Sequence, residues 1–382
     1  FVPADAEPPP PAASTCRGYA TRYWDCCKAH CGWSGNATEL GTALASCSID
    51  DVPQAGFDQP SSCGSDAADA GYTCFSMAPR AVTETLAYGF AAVPAAGAVC
   101  GRCSEVCPAN ISGKLLSPMH IVENLKEHMI EIGHQGARNP EHLEPVAIIG
   151  HAIPEQALWD CLSCGACMEE CPVVVEHVPT IIDLRRNLVL EESKIPETGM
   201  NALLSMEQRG HPWRGTPYSR TDWAEGLDIP LLSENPDAEY LFYVGCAGSF
   251  DDRAKKITQA VATILTKAGV SFAILGKDEP CNGDTARRLG NEYLYQSMAG
   301  MAVEVLAGHN VKKVITNCPH CFNTIKNEFP QFDGNYDVVH GSELVAELIR
   351  DGKVRVSKEA AKTIVYHDSC YLGRYNEVYD AP

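Results

Sequence analysis

Three kinds of structure are expected in order along this chain. A truncated, disulfide-rich β module comes first, a helical segment built around clustered cysteines follows, and an α/β domain with a parallel sheet ends it. Three observations predict this multidomain order. Residues 16–99 hold seven cysteines and a single lysine, Lys28, among many Ala, Ser and Gly, with little helical periodicity. After Cys100 lysines become common and long amphipathic patterns appear, and from Glu239 short apolar β-rich runs alternate with helical ones.

At roughly 150 residues per domain, 382 residues suffice for two or three domains, each able to bury its own core. A hydrophobic content of 45% excludes wholesale disorder. The net charge of −19 removes any global electrostatic basis for gripping nucleic acid or an anionic membrane surface. No apolar run reaches the about 18 residues of a membrane span. The longest candidate, residues 86–99, is broken by Gly89, Pro94 and Gly97, so a soluble chain is expected. The sequence opens on Phe1 with no basic-then-apolar leader, which reads as a processed end or the start of a fragment.

Residues 1–15, with Pro3 and the run Pro8 to Pro11, read as an extended linker, and residues 16–99 as the disulfide-braced module. A boundary falls near residues 95–103, and 100–195 form the helical cysteine segment. Within it Ser117-Pro118, apolar Met119, Val122, Leu125, Met129 and Ile132, and Gly133 give an N-cap, a first-turn proline, helical spacing and a glycine stop. A second helix is expected over residues 180–191, and 196–238 connect to the α/β part. From 239 to 382 strands are predicted at 240–246, 270–275, 313–318, 336–340 and 363–370. Helices are predicted at 254–268, 285–307, 319–329 and 342–350, and the alternation implies a mostly parallel sheet.

Nineteen cysteines are too many for packing alone, and an odd number cannot all pair internally. Cys161-Leu-Ser-Cys164-Gly-Ala-Cys167-Met-Glu-Glu-Cys171-Pro172 has the C-x2-C-x2-C-x3-C-P spacing that holds cubane [4Fe-4S] clusters, a zinc knuckle or buried free cysteines being the alternative. Cys100-Gly-Arg-Cys103-Ser-Glu-Val-Cys107-Pro108 is a partial copy, with Gly97 where the first ligand would stand. If ligands cross over as in two-cluster ferredoxins, Cys161, Cys164, Cys167 and Cys107 complete one cubane. Cys100, Cys103 and Cys171 then leave a second site one thiolate short. A third set, Cys246, Cys281, Cys318 and Cys321, falls at the predicted carboxyl ends of strands, where an open α/β sheet gathers its ligand. Zinc or inert core cysteines are the alternative there too. His320, inside the C-x2-C pair, and His367-Asp368 before Cys370 could protonate a leaving thiolate or serve only as caps and core groups. The Arg287-Arg288 pair would dress a helix surface or meet an electron partner.

The long gap between Cys107 and Cys161 resembles the α-helical ferredoxin domain found in succinate dehydrogenase and heterodisulfide reductase. Cys281-Asn-Gly-Asp-Thr-Ala-Arg-Arg-Leu-Gly, Asn317-Cys-Pro-His-Cys-Phe-Asn-Thr and Tyr366-His-Asp-Ser-Cys-Tyr-Leu-Gly-Arg closely resemble the cysteine-rich (CCG) iron–sulfur proteins related to heterodisulfide reductase. Glycolate oxidase iron–sulfur subunits and lactate utilisation proteins are more distant relatives. The resemblance covers about residues 98–382 and implies a CCG-type [4Fe-4S] cluster and disulfide or two-electron chemistry. The family's Cys-Cys step reads Cys281-Asn282 here, which sets the noncubane cluster form in doubt. Cys370 matches the opening of a second module, which is expected to be absent because the sequence stops at Pro382.

At the front, Thr21-Arg-Tyr-Trp-Asp25-Cys-Cys-Lys-Ala-His-Cys-Gly-Trp33, Tyr72-Thr-Cys74 and Leu86-Ala-Tyr-Gly-Phe-Ala-Ala92 resemble glycoside hydrolase family 45, the inverting endoglucanases. The resemblance makes Asp25 the catalytic base and puts Tyr23 and Trp33 near the sugar. It also implies disulfides Cys27 to Cys63, Cys47 to Cys74 and Cys31 to Cys100. An inverting glycosidase needs a second carboxyl group as acid, and the likeness ends before reaching it, so cellulose hydrolysis is expected to be lost. Cys100 and Cys103 are claimed both by an oxidising secreted fold and by a cluster fold assembled in reducing cytosol. A chimera joined at this shared stretch is the economical explanation.

The reading is an iron–sulfur electron-transfer subunit with one intact cubane site, one damaged site and one CCG-type site. It would pass electrons between a partner's flavin or haem, which could sit at a membrane, and a disulfide or hydroxyacid couple. A cytoplasmic location is expected, whereas the front module alone would imply secretion. The competing reading is an endo-1,4-β-glucanase, with cellulose as partner only if the front module works.

Overall fold

The computed structural model describes residues 99–138, 146–356 and 363–382. The linker, the front module with Tyr23, Asp25 and Trp33, and its cysteines Cys27, Cys31, Cys47, Cys63 and Cys74 lie outside the described residues, as does Gly97. The chain forms two compact units. One comprises residues up to Cys161 with Ala166–Ile181, the other Leu162–Gly165 with Ile182–Pro382.

The described part of the first unit is helical. Its longest helix, Pro118–Arg138, starts where an N-cap serine and a first-turn proline place it, and Ser117 Oγ accepts from the His120 N–H at 3.3 Å. It runs through Gly133, because one glycine costs a helix only about 1 kcal/mol and the i to i−4 ladder continues past it. Ile121 and Leu125 bury one face, and Ser117 Oγ also meets Ser104 Oγ at 2.8 Å, tying the helix start to the short helix Arg102–Glu105. That helix packs on Ala166–Glu169, which carries Cys167.

The second unit is an α/β fold around four parallel strands: β1 Tyr240–Phe242, β2 Phe272–Ala273, β3 Lys313–Thr316 and β4 Asp337–His340, in the order β2-β1-β3-β4. Register pairs Leu241 with both Ala273 and Val314, and Val314 with Val338. Both faces are covered, so side-chain alternation divides one apolar run between two cores. Leu241, Tyr243, Ala273, Val314 and Val338 pack on one face with the Cys246, Cys281 and Cys321 thiols. Phe242, Val244, Phe272, Ile274 and Ile315 pack on the other with Trp223, Leu265 and Leu344. A fully buried side chain such as Ile315, 0% exposed, contributes about 1.5–3 kcal/mol.

Several expected elements differ in extent. β1 ends at Phe242, and Cys246 lies in the helix Gly245–Phe250 rather than at a strand end, because Gly245 at φ +74° turns the backbone there. The single helix expected over 285–307 is two, Asp284–Leu289 and Glu292–Gly308, separated by Gly290 at φ +91°. The helix expected over 319–329 is a helical turn Pro319–Asn323 passing into a π-turn Thr324–Glu328 and a 3-10 turn Phe329–Phe332. Residues 363–369 form no strand: Ile364 and Val365 are exposed, with no burial among the described residues to reward pairing. The helix Glu197–Arg209 and the 3-10 turn Pro217–Ala224 occupy the segment read only as a connection. No described helix is long and apolar enough to cross a membrane.

A Cβ at Gly290 would stand 2.6 Å from the Arg185 carbonyl carbon, in a backbone region L-residues avoid. Gly290→Ala should therefore cost about 1–3 kcal/mol in urea unfolding. Gly300→Ala, in a helix with nothing within 4 Å, should be neutral or stabilising. Equal effects at the two glycines would contradict this packing.

Candidate metal centre

All twelve described cysteines are free thiols. In the first unit Cys103 lies in the helix Arg102–Glu105, and Cys107 caps the turn Pro108–Ile111, whose proline suits a first helical position. Both thiols are buried, while Cys100 is exposed. Burial first, then the neighbouring charges of Cys171 and Cys100, push the Cys103 thiol up. Cys100 and Cys171 are thus near enough to Cys103 to act on its thiol. Cys171 Sγ also accepts from the Val175 N–H at 3.3 Å. Cys161 follows the helix Glu155–Trp159 and Cys167 is buried in Ala166–Glu169.

Cys164 belongs to the loop 162–165, held within the second unit by aromatic side chains. Ser163 O accepts from Tyr375 Oη at 2.9 Å, and Ser163 Oγ meets Tyr371 Oη at 3.0 Å. Tyr371 and Tyr375 stack at 4.6 Å, and His320 leans on Tyr371 at 4.2 Å. A line of rings thus runs from the Cys164 loop to the Cys318-Pro-His-Cys321 turn.

Cys246, Cys281, Cys318 and Cys321 come together at the carboxyl ends of the strands. Cys246 is two residues into the helix after β1, Cys281 lies in the loop after β2, and Cys318 caps the helix after β3 that holds Cys321. Cys246, Cys281 and Cys321 are 7–8% exposed. Cys246 and Cys318 are drawn below the ordinary thiol range by their partner thiols Cys281 and Cys321, while Cys281 and Cys321 are pushed up, each first by its partner thiol and then by burial.

The surroundings suit an anionic sulfur-rich group. Arg220 holds two guanidinium nitrogens 3.7 and 3.8 Å from Cys246 Sγ, and pairs with Glu279 at 2.7 Å. Glu279 in turn accepts from the Val244 and Gly245 N–H groups, both at 2.8 Å, fixing the turn that presents Cys246. Tyr243 Oη donates to Pro280 O at 2.5 Å beside Cys281. Asn282 and Asn317, next in sequence to Cys281 and Cys318, each keep a buried amide Nδ2 with no hydrogen-bond partner among the described residues. At Gly245 a Cβ would come within 2.9 Å of Cys321 Sγ. Four thiols, two orphaned donors and a glycine cradle fit an iron–sulfur cluster, whose sulfides accept such hydrogen bonds.

His320 Nδ1 lies 2.9 Å from Asp284 Oδ2. Burial alone would lower the His320 pKa, but Asp284 more than offsets this and raises it. His320 is therefore an exposed group at the site's edge, held by its pairing with Asp284, and His367 and Asp368 are exposed as well. Arg287 and Arg288 are engaged in ion pairs rather than lying free on a helix surface. Arg288 pairs with Asp284 at 3.0 Å and with Glu328, and Arg287 pairs with Glu328 at 3.1 Å. No spacing rule marks Arg220, Glu279 or Tyr243: they come from the connecting segment, a loop and the residue just after β1, and only the fold assembles them.

Removing one member of a buried ion pair strands the other. Arg220→Met should cost about 3–5 kcal/mol in urea unfolding, and Arg220→Met with Glu279→Gln should recover part of it. A loss under about 1 kcal/mol for the single variant would contradict the pairing.

Three family models match the chain: glycosyl hydrolase family 45 over residues 17–115, a 4Fe-4S dicluster domain over 98–175, and a cysteine-rich (CCG) domain over 240–326. The first two overlap on residues 98–115, which include Cys100-Gly-Arg-Cys103. Over 308 residues the chain is 40% identical to the EtfAB:quinone oxidoreductase of Syntrophomonas wolfei, covering 74% of this chain and 43% of that protein. Over 230 residues it is 31% identical to a subunit of the dihydromethanophenazine:CoB–CoM heterodisulfide reductase of Methanosarcina mazei, covering 58% and 54%. Over 97 residues it is 48% identical to endoglucanase B of Cellvibrio japonicus, covering 25% and 18%. The chain thus spans less than half the length of the first of these relatives. No solved structure matches it at a significant level. The chain therefore resembles iron–sulfur oxidoreductases of the CCG type, with 4Fe-4S clusters as cofactors, through most of its length, and glycosyl hydrolase family 45 at its front.

Proposed function

We propose that residues 100–382 are the electron-carrying part of an iron–sulfur oxidoreductase of the heterodisulfide reductase type. The observation that carries this is the convergence of Cys246, Cys281, Cys318 and Cys321 beside the buried Arg220–Glu279 pair. These four cysteines are the proposed ligands of a CCG-type cluster. Cys161, Cys164, Cys167 and Cys107 are the proposed ligands of an intact cubane, and Cys100, Cys103 and Cys171 those of a site one thiolate short. Domain limits of 100–195, 196–238 and 239–382 go with this assignment.

When bound, the clusters supply one-electron storage; the protein supplies position and charge. Cys246 and Cys318 are drawn toward the thiolate form that ligation requires, and their partners Cys281 and Cys321 away from it. Arg220 places its positive charge on the Cys246 sulfur, and the amides of Asn282 and Asn317 are free to donate. Such contacts favour the reduced, more negative state. By the name of one relative, EtfAB and a quinone are its redox couple. We propose a redox partner of that general kind here, a flavin or haem protein on one side and an oxidised acceptor on the other, with a membrane-associated partner compatible with either.

The test is anaerobic purification with iron and sulfide analysis and EPR. At least about four irons per chain are expected, with Cys318→Ala and Cys321→Ala each lowering the content. Fewer than about three irons, or zinc in their place, would overturn the assignment.

The front segment supports a second reading, cellulose hydrolysis through Asp25 in a disulfide-braced β module, on its 48% identity with an endoglucanase. One carboxylate cannot both activate water and protonate the leaving oxygen of an inverted glycoside. Reducing-sugar assays on soluble cellulose should therefore read background, unchanged by Asp25→Ala. Release of sugar that Asp25→Ala abolishes would restore the hydrolase reading.

A further inference from the structure

The first unit brings together His128, Glu131 and His151. His128 and Glu131 stand three residues apart on the helix Pro118–Arg138, a spacing that puts two side chains on one helix face. His151 comes from the turn after Val146. Parallel pairing of Ile149 with Ile153 shapes that turn, together with the Gly150 N–H bond to Ile153 O at 2.8 Å. Asn124 Nδ2, one helical turn before His128, donates to Ala152 O at 2.9 Å and docks the turn on the helix. Ile153, 0% exposed, anchors it further.

The docking leaves the His128 and His151 rings 5.7 Å apart and inclined by 60°. One ligand atom from each of the three residues lies within 4.8 Å of the others. His128 is only 9% exposed, and its buried Nδ1 has no hydrogen-bond partner among the described residues. Leaving such a nitrogen unpaired costs about 1–3 kcal/mol. Glu131 and His151 are exposed and can rotate, whereas His128 is held. Tetrahedral bonds of about 2.0–2.1 Å set ligand atoms about 3.4 Å apart, so a shift of the two mobile side chains suffices to close the set.

We infer that His128, Glu131 and His151 form a second kind of metal site, for a divalent cation of borderline softness such as Zn2+, separate from the sulfur-ligated centres. Two imidazoles and a carboxylate suit that ion, and the iron of the clusters is held by thiolates instead. Three protein ligands leave a fourth position on the exposed side for water. Occupancy pins residues 148–153 to the helix, and with them the stretch that leads to Cys161.

The test is a titration of the anaerobic, cluster-loaded full chain with Zn2+ against a chromophoric competitor. One equivalent is expected to bind, with zinc-edge X-ray absorption showing nitrogen and oxygen neighbours only. His151→Ala and Glu131→Gln, both at exposed positions, should weaken binding at least about tenfold with iron content unchanged. No binding in the wild type, a sulfur shell around zinc, or equal affinity in wild type and variants would each overturn the site.

Discussion

The constraint on which the second unit depends is the parallel pairing of β1 with β3. Cys246 and Cys321 are far apart in sequence, and they meet because adjacent parallel strands deliver their following loops to the same edge of a sheet. Gathering four thiols there, three of them buried, creates an electrostatic problem that the rest of the site answers. Arg220 sets a positive charge against one sulfur, Glu279 neutralises that arginine and fixes the turn at Gly245, and the two asparagine amides remain as donors. Remove the strand pairing and each of these groups becomes an isolated buried polar residue.

The front of the chain obeys a different chemistry. A family 45 glycosyl hydrolase stretch and a dicluster stretch overlap on residues 98–115, and Cys100 and Cys103 lie in the overlap. In the structure both are free thiols, with Cys171 close to Cys103. Disulfide bracing and cluster ligation cannot use the same sulfur at once. A chimera joined within residues 98–115, where both family models match, accounts for the coincidence.

Much of the α/β unit was legible from the sequence because its strands are short apolar runs bounded by turn signals and buried on both faces. Four of the five expected strands form. The fifth, over 363–370, fails since its apolar residues find no burial among the described residues. The helix break at Gly290 escaped the periodicity because apolar spacing continues on both sides of it, and only the Arg185 backbone, close in space, demands the glycine. Cysteine spacing marked the thiols of the site, yet Arg220, Glu279 and Tyr243 carry no spacing signal. The pairing of His128 with His151 was equally invisible, since a hydrogen bond from Asn124 and a two-residue bridge, rather than any motif, set their approach.

Iron-edge X-ray absorption on anaerobically purified chain is the most direct test that the gathered thiols hold inorganic clusters. The account predicts iron surrounded by sulfur with iron–iron scattering beyond it. That second shell should shrink when Cys246 and Cys281 are both replaced by serine. A spectrum without iron–iron scattering, or mass mapping that finds Cys246, Cys281, Cys318 and Cys321 joined to one another as disulfides, would contradict it.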